Sequence, residues 1–189
     1  MESQKPIFSV KTDRLHIRTM KTDDLESFLN YRSNPEIAKF QLFDVMDSDR
    51  AQKFVETYSQ KRFGTLGEWV QYSIENLETR EMIGDCAIKL HAFDARIAEI
   101  GITISPLHHK KGFAREALKG VIDFLFSEEN FHRIVALVDT RNAASIAMLE
   151  SCSFRLEGHF IGSYFENGTW TDEFQYAMNR SDWQNLRNR

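Results

Sequence analysis

A strand that runs through a short turn into a long apolar helix is the feature that most restricts the fold of this chain. Residues 97–104 have the composition of a strand, and the apolar residues of 114–126 recur at helical intervals. The first amides of such a helix lack intrahelical partners and its dipole adds positive charge, so the turn around Gly112 is a candidate pyrophosphate site. Considered alone, Gly112 is weak evidence, and a flexible residue that the turn requires is the simpler explanation.

The remaining periodicity predicts an α/β (α+β) fold with an antiparallel first half and a strand–helix–strand–helix middle. Asn-Gly within Glu166-Asn167-Gly168 is a strong hairpin signal. A second hairpin is expected at 78–81, and Ser48 is expected to cap a helix. The other predicted strands are 13–20, 69–77, 82–90, 134–138, 160–165 and 170–178, and the other predicted helices are 22–34, 48–62 and 144–149.

Length and charge limit the classes of function. The 189 residues predict a single domain spanning 1–189, with a core of about 8–180. A net charge of -4 with dispersed lysines and arginines gives no basic footprint for nucleic acid. No segment approaches the roughly 20 apolar residues of a membrane span. Cys86 and Cys152 lie in apolar runs, which predicts buried, unpaired thiols in a cytoplasmic protein.

The turn resembles the coenzyme A loop of the GCN5-related N-acetyltransferases, Arg/Gln-x-x-Gly-x-Gly/Ala. In the window His109-Lys110-Lys111-Gly112-Phe113-Ala114 the two small residues match and His109 departs. Residues 12–18, 141–150 and 154–158 are similar to the subgroup of ribosomal-protein alanine and serine N-acetyltransferases. That subgroup usually has Lys-Leu-Gly-Phe where this chain has Ser151-Cys152-Ser153-Phe154, and losing glycine at a left-handed helix cap costs about 1 kcal/mol.

The resemblance implies a mixed, mostly antiparallel sheet flanked by helices, with the fourth strand (97–104) splayed from the fifth (134–138). It implies acetyl-CoA as the acyl donor and no metal. The exposed edge of Ile102, Thr103 and Ile104 would bind the pantetheine arm, which Asn142 would also approach. The pyrophosphate would lie in the loop formed by His109, Lys110, Lys111, Gly112, Phe113, Ala114 and Arg115.

The same resemblance suggests catalytic residues. Glu99 would accept the proton of the amine, although it could instead be a surface carboxylate beside Arg96. Ser145 would assist the departing thiolate, although the segment around Asn142 could serve only to cap a helix. Further candidates for the acid or the substrate wall are Tyr164, Tyr176 and Glu157. Because neither cysteine has a plausible histidine base beside it, no covalent acyl-enzyme is expected.

These observations favour acetyl transfer from acetyl-CoA to a primary amine, on a protein N-terminus or a small molecule, by direct attack in a ternary complex. The alternatives are a polyamine or aminoglycoside acetyltransferase and a non-catalytic acyl-CoA-binding module. A nucleotide enzyme is disfavoured because the chain has neither a P-loop Gly-Lys-Ser/Thr nor a complete Gly-x-Gly-x-x-Gly. The segment 40–47, the helix around Phe54 and the last hairpin would shape the acceptor site. A homodimer is compatible with the sequence.

Overall fold

The computed structural model describes residues 8–40, 45–127, 130–166 and 168–188. Its centre is an eight-stranded sheet in the spatial order β1-β2-β3-β4-β5-β6-β8-β7. The strands are β1 Ser9–Lys11, β2 Leu15–Thr19, β3 Trp69–Asn76, β4 Met82–Leu90, β5 Ile97–Ile104, β6 Arg133–Asp139, β7 Arg155–Glu166 and β8 Thr169–Asn179. The helices are α1 Leu25–Arg32, α2 Pro35–Ala38, α3 Ser48–Gln60, α4 Phe113–Ser127, α5 Ala143–Ser151 and α6 Arg180–Arg187.

The sheet opens between β5 and β6, its one parallel pair in the described part of the chain. Their pairing covers Ile97, Ala98 and Glu99 against Arg133, Ile134 and Val135, and it stops there although both strands continue. All the other neighbours are antiparallel. The predicted mixed, mostly antiparallel sheet with a splayed strand pair is therefore confirmed.

Helices cover the sheet on both faces. Val70, Tyr72 and Ile74 alternate along β3 and pack into one large core with the apolar face of α4. A second core lies between α1 and α3 and includes Phe28 and Val55. Among the described residues no helix has both the length and the apolar character needed to cross a bilayer.

Most of the predicted elements are present, and the differences have local causes. The strand predicted at 13–20 is the second of two strands, since β1 has only three residues and leaves almost no periodic signal. The helix predicted at 22–34 begins with a 3-10 turn over Thr22–Asp24 and ends at Arg32. Asp47, not Ser48, caps α3, because its carboxylate accepts the amide of Arg50 at 2.8 Å.

The chain after α5 follows the prediction closely. Ser153 adopts a left-handed conformation with φ 66°, and the Phe154 amide donates to the Leu149 carbonyl at 3.1 Å, which confirms the cap that glycine usually occupies. β7 and β8 pair antiparallel and are longer than expected. Asn167 of the predicted hairpin turn lies outside the described residues, as do 41–44 of the segment 40–47. The short α2 and the terminal α6 were not predicted.

Candidate active site

A cavity of about 320 Å³ occupies the opening between β5 and β6. Ile102 and Thr103 on one side and Ala136 and Val138 on the other form part of its wall. The aromatic residues Phe54 and Tyr58 on α3 also line it. Its remaining polar lining includes Arg32, Gln71, Asp85, Glu99, Asp139, Asn142, Ser145, Tyr164, Thr171 and Glu173.

The turn after β5 presents a run of unpaired amides. Lys110 and Gly112 both have positive φ, at 59° and 80°. Within the part of the chain that the structure describes, the amides from Lys110 to Arg115 donate to no backbone carbonyl, and the ladder of α4 starts with the Glu116 amide on the Gly112 carbonyl at 3.0 Å. Such amides, at the positive end of a 15-residue helix, are suited to binding an anion.

Arg14, in the corner between β1 and β2, holds this turn in place. Its guanidinium donates to the Lys111 carbonyl at 3.1 Å and to Glu116 at 2.6 Å, and it lies 4.5 Å from the centre of the Phe113 ring. Thr12 Oγ1 donates to the same Glu116 carboxylate at 2.6 Å. Partial burial opposes ionisation, but the hydrogen bonds from Thr12 and Arg14 lower the pKa of Glu116 below its usual value.

Three side chains of the turn contact protein carbonyls. His109 is exposed, yet its Nε2 donates to the Ile104 carbonyl at 2.8 Å. Lys111 Nζ donates to the Leu107 carbonyl and Arg115 to the Ser151 carbonyl. The His109 ring thus closes the end of β5 and occupies the Ile104 carbonyl, while its place in the pyrophosphate loop stays a prediction.

Glu99 lies at the last residue pair that joins β5 to β6, and it lines the cavity. Only 9% of it is exposed, and its carboxylate forms an ion pair with Lys89 Nζ at 2.6 Å. Lys89 in turn lies 4.9 Å from the centre of the Trp69 ring. The alternative of a surface carboxylate beside Arg96 is wrong, since Arg96 pairs with Asp94 at 2.8 Å.

Asn142 and Ser145 occupy the first turn of α5. Asn142 is its N-cap, and the side-chain oxygen accepts the Ser145 amide at 3.1 Å, so capping is part of what this segment does. Both side chains also line the cavity. The helix cap and the cavity wall therefore share the same two residues.

The three weaker candidates separate. Tyr164 lines the cavity. Tyr176 is outside the lining, because it is buried with its hydroxyl donating to Glu150 at 2.9 Å, and burial together with that contact raises the pKa of the phenol. Glu157 is also outside the lining and forms ion pairs with Arg133 and Arg155. Tyr176 and Glu157 were wrong as wall residues.

A buried charged network at one end of the cavity was missed. The Arg32 guanidinium lies 2.6 Å from Asp85, and the Tyr31 hydroxyl donates to the same carboxylate at 2.5 Å. Burial alone would lower the pKa of Arg32, but the Asp85 charge and hydrogen bonds raise it above its usual value. The available signal was Arg32 itself, a charged residue on the apolar face of α1 beside Phe28.

The sheet arranges the site in three cross-strand rows, because residues paired across antiparallel strands share a face. The first row is Trp69–Lys89–Glu99, the second is Gln71–Ala87–Gly101, and the third is Ser73–Asp85–Thr103. Two charged rows thus flank a central row whose floor consists of the small residues Ala87 and Gly101.

The family follows from comparison with known proteins. Residues 14–155 match the family model described as "Acetyltransferase (GNAT) domain". The chain belongs to the GNAT family. It is 32% identical over 174 residues to "Uncharacterized N-acetyltransferase YoaA" of Bacillus subtilis, a match that covers 89% of this chain and 95% of that protein. The chain is therefore a GNAT N-acetyltransferase.

Solved GNAT structures share the fold. A spermidine N-acetyltransferase from Vibrio cholerae, in complex with CoA and spermine, has a TM-score of 0.76 at 23% identity, covering 92% of this chain and 99% of that one. A ribosomal-protein-S5-alanine acetyltransferase from Vibrio fischeri has a TM-score of 0.77 at 21% identity, covering 93% and 98%. The resemblance to ribosomal-protein acetyltransferases thus extends to the architecture.

Proposed function

We propose that this GNAT protein transfers an acetyl group from acetyl-CoA to a primary amine, on a protein N-terminus or a small molecule, by direct attack. The observation that carries the proposal is the alignment of three features along β5. Glu99 lies where the strand leaves β6, the cavity follows, and the unpaired amides of residues 110–115 come after its end. The donor, the acceptor class and the residue roles are all parts of the proposal.

The amides from Lys110 to Arg115 suit the pyrophosphate of acetyl-CoA, and Gly112 and Ala114 keep the approach free of large side chains. The edge of β5 at Ile102 and Thr103 suits the pantetheine arm. Ile104 belongs to the same strand edge, but its carbonyl already accepts a hydrogen bond from His109 and is not free for the pantetheine arm. Asn142, at the start of α5, lines the same cavity. Acetyl-CoA supplies the thioester that is cleaved.

Glu99 is the base in this proposal. A carboxylate can take a proton from the attacking amine directly or through one water, so that the C–N bond forms as the C–S bond breaks. Lys89 Nζ lies 2.6 Å from the Glu99 carboxylate and holds it at the cavity wall. Ser145 lies across the cavity and would provide a hydrogen bond to the thiolate. The competing role for Glu99 is a structural ion pair with Lys89.

Coenzyme A release across peptides, polyamines and aminoglycosides, measured together with acetyl-CoA binding, tests the proposal. Glu99→Gln should lower kcat by roughly 10²- to 10⁴-fold with acetyl-CoA affinity unchanged, because the base is lost and the donor contacts remain. Ser145→Ala should lower kcat less. Glu68→Gln, which removes the partner of Lys61 at the surface, is the matched control and should match the parent protein.

Two alternatives give different results. A polyamine or aminoglycoside acetyltransferase would turn over only the polycationic acceptors, as the name of the Vibrio cholerae neighbour suggests for that protein. A non-catalytic module would bind acetyl-CoA and release no coenzyme A with any amine. Equal turnover by the parent protein and Glu99→Gln would leave Glu99 as the structural partner of Lys89.

The expected setting completes the proposal. We place the protein in the cytoplasm, because the free, buried thiols of Cys86 and Cys152 suit a reducing compartment. We treat the chain as one domain, with about 8–180 as its core.

A further inference from the structure

The carboxylates that line the cavity are almost all neutralised by neighbouring cations. Asp85 pairs with Arg32 at 2.6 Å, and Glu99 pairs with Lys89 at 2.6 Å. Asp139 pairs with Arg141 at 2.5 Å, and its pKa is lowered by the hydrogen bonds from that guanidinium.

Glu173 is the exception. Among the described lining residues it is the one carboxylate without a cationic partner, and Ser163 Oγ donates to it at 2.9 Å. The described lining of the cavity therefore offers one carboxylate that no cation compensates.

This balance determines which amines the chamber can hold. A polycation loses hydration at each ammonium group when it enters, and an uncompensated carboxylate replaces that hydration better than a neutral or charge-paired group does. A molecule with one amine needs one such partner at most. The observed pairs therefore disfavour acceptors with several positive charges.

The rest of the cavity favours an acceptor whose body is compact and largely apolar. Its floor is Ala87 and Gly101, and its walls include Phe54, Tyr58 and Trp69. A Cβ built on Gly101 would meet only the Ala87 Cβ, at 3.9 Å, so glycine here leaves room for substrate rather than relieving a backbone clash.

Gln71 adds a neutral polar group beside that floor. It is 5% exposed and lines the cavity, and in the described part of the chain its Oε1 has no hydrogen-bond partner. A buried amide oxygen without a partner costs about 1–3 kcal/mol. Because the terminal torsion of glutamine is soft, small rotations can turn the amide toward a donor in the chamber.

We propose that the acceptor is a monoamine on a compact, mainly apolar body with a hydrogen-bond donor near the amine, and that Gln71 receives this donor. The N-terminal residue of a peptide has this chemistry, since its α-amine is followed by a peptide N–H. This inference rests on the proposed acetyl transfer and narrows its acceptor. Two residues disfavour polyamines in this proposal. Lys89 compensates the charge of Glu99, and Gln71 is uncharged.

Three amines test it: an alanine tripeptide, 2-phenylethylamine and spermidine. The parent protein should favour the better of the two monoamines over spermidine by at least about tenfold in kcat/KM, the equivalent of one well-placed interaction. The two monoamines distinguish a peptide N-terminus from a simple aromatic amine, since only the tripeptide carries a peptide N–H for Gln71. A lead for the tripeptide indicates a protein or peptide N-terminus.

Two variants should reverse the preference. Gln71→Glu adds a carboxylate without changing size, and Lys89→Met removes the cation that compensates Glu99, so each should raise the spermidine-to-monoamine ratio by roughly tenfold. The ratio cancels any general loss of turnover. Gln52→Glu places the same charge on an exposed helix position and should leave the ratio unchanged. If Gln71→Glu does not fold, Lys89→Met and the parent ratio still provide the test.

The outcomes separate the two levels of the proposal. A parent protein that prefers spermidine overturns this inference and leaves acetyl transfer intact. An unchanged ratio in both variants also overturns it. Acetyl-CoA binding without coenzyme A release, for these three amines and for the aminoglycosides and other amines of the wider screen, overturns the acetyl transfer on which it rests.

Discussion

The two ends of the site present different chemical groups. The donor end is the turn of residues 110–115, and the acceptor end is the part of the cavity around Arg32, Asp85 and Glu99. At the proposed donor end the groups that face outward are main-chain amides, while the side chains of His109, Lys111 and Arg115 bond to protein carbonyls. At the proposed acceptor end the groups are side chains, and several are charged and buried. The contrast implies that the donor end tolerates changes of side chain and that the acceptor end does not.

The largest expected effect is at the acceptor end. Asp85→Asn should lower the free energy of unfolding by roughly 3–5 kcal/mol, because it removes the charge partner of a buried guanidinium. Arg32 has only 3% of its side chain exposed, so water cannot replace the carboxylate. Urea unfolding with a fitted m-value measures the change.

The matched change at the surface is Glu68→Gln, which breaks the exposed pair with Lys61 and should cost less than about 1 kcal/mol. Equal losses in the two variants would contradict the idea that burial makes the acceptor end sensitive.

The donor end should respond to backbone conformation. Gly112→Val should weaken acetyl-CoA binding about tenfold, since a β-branched residue at φ 80° costs about 1–3 kcal/mol and shifts the turn. The new Cβ would meet only the Arg14 guanidinium, at 3.5 Å, so the cause is the conformation and not a clash. Calorimetric titration with acetyl-CoA measures the affinity.

His109→Ala changes a side chain in the same turn and should alter that affinity by less than about threefold, because its ring contacts Ile104. A larger loss for His109→Ala than for Gly112→Val would reverse the comparison.

A smaller effect is expected where the donor turn is anchored. Glu116→Gln should destabilise the protein by about 1 kcal/mol at pH 7, since Thr12 and Arg14 donate to the carboxylate. The pKa of Glu116 is lowered in the folded protein. Its contribution is therefore complete above the unfolded pKa and is lost as the pH falls through the lower, folded pKa.

The unfolding free energies of the parent and Glu116→Gln should converge as the pH falls from neutral toward 3. Urea titrations at several pH values, with exposed Glu56→Gln as the control, measure this. A difference that does not depend on pH would show that the lost interaction is not ionic.

The fold was predictable wherever a periodic pattern ran long enough. β5, the turn and α4 were clear because strand and helix periods meet at Gly112. The cap at Ser153 was predicted from the family resemblance, in which glycine usually occupies this position. β1 is too short to show a period. The final helix α6 is mostly polar and is attached through Trp183, which contacts Phe126.

The acceptor end was harder because its chemistry depends on pairs far apart in sequence. Arg32 and Asp85 are 53 residues apart, and nothing local to either residue indicates the other. The pairing of Lys89 with Glu99 can be predicted only when the register of β4 against β5 is known. The donor end could be located from local sequence, since its amides need only a glycine-containing turn before a helix.

The grip of Arg14 on the turn has a consequence for how the protein assembles. The Arg14 guanidinium and the Lys111 carbonyl are 97 residues apart in sequence, so the final shape of the turn depends on a contact of long loop closure, between the first corner of the chain and the start of α4. We expect the donor end to mature late in folding. Shortened versions that begin beyond this corner would then keep most of the sheet and lose the shape of the loop.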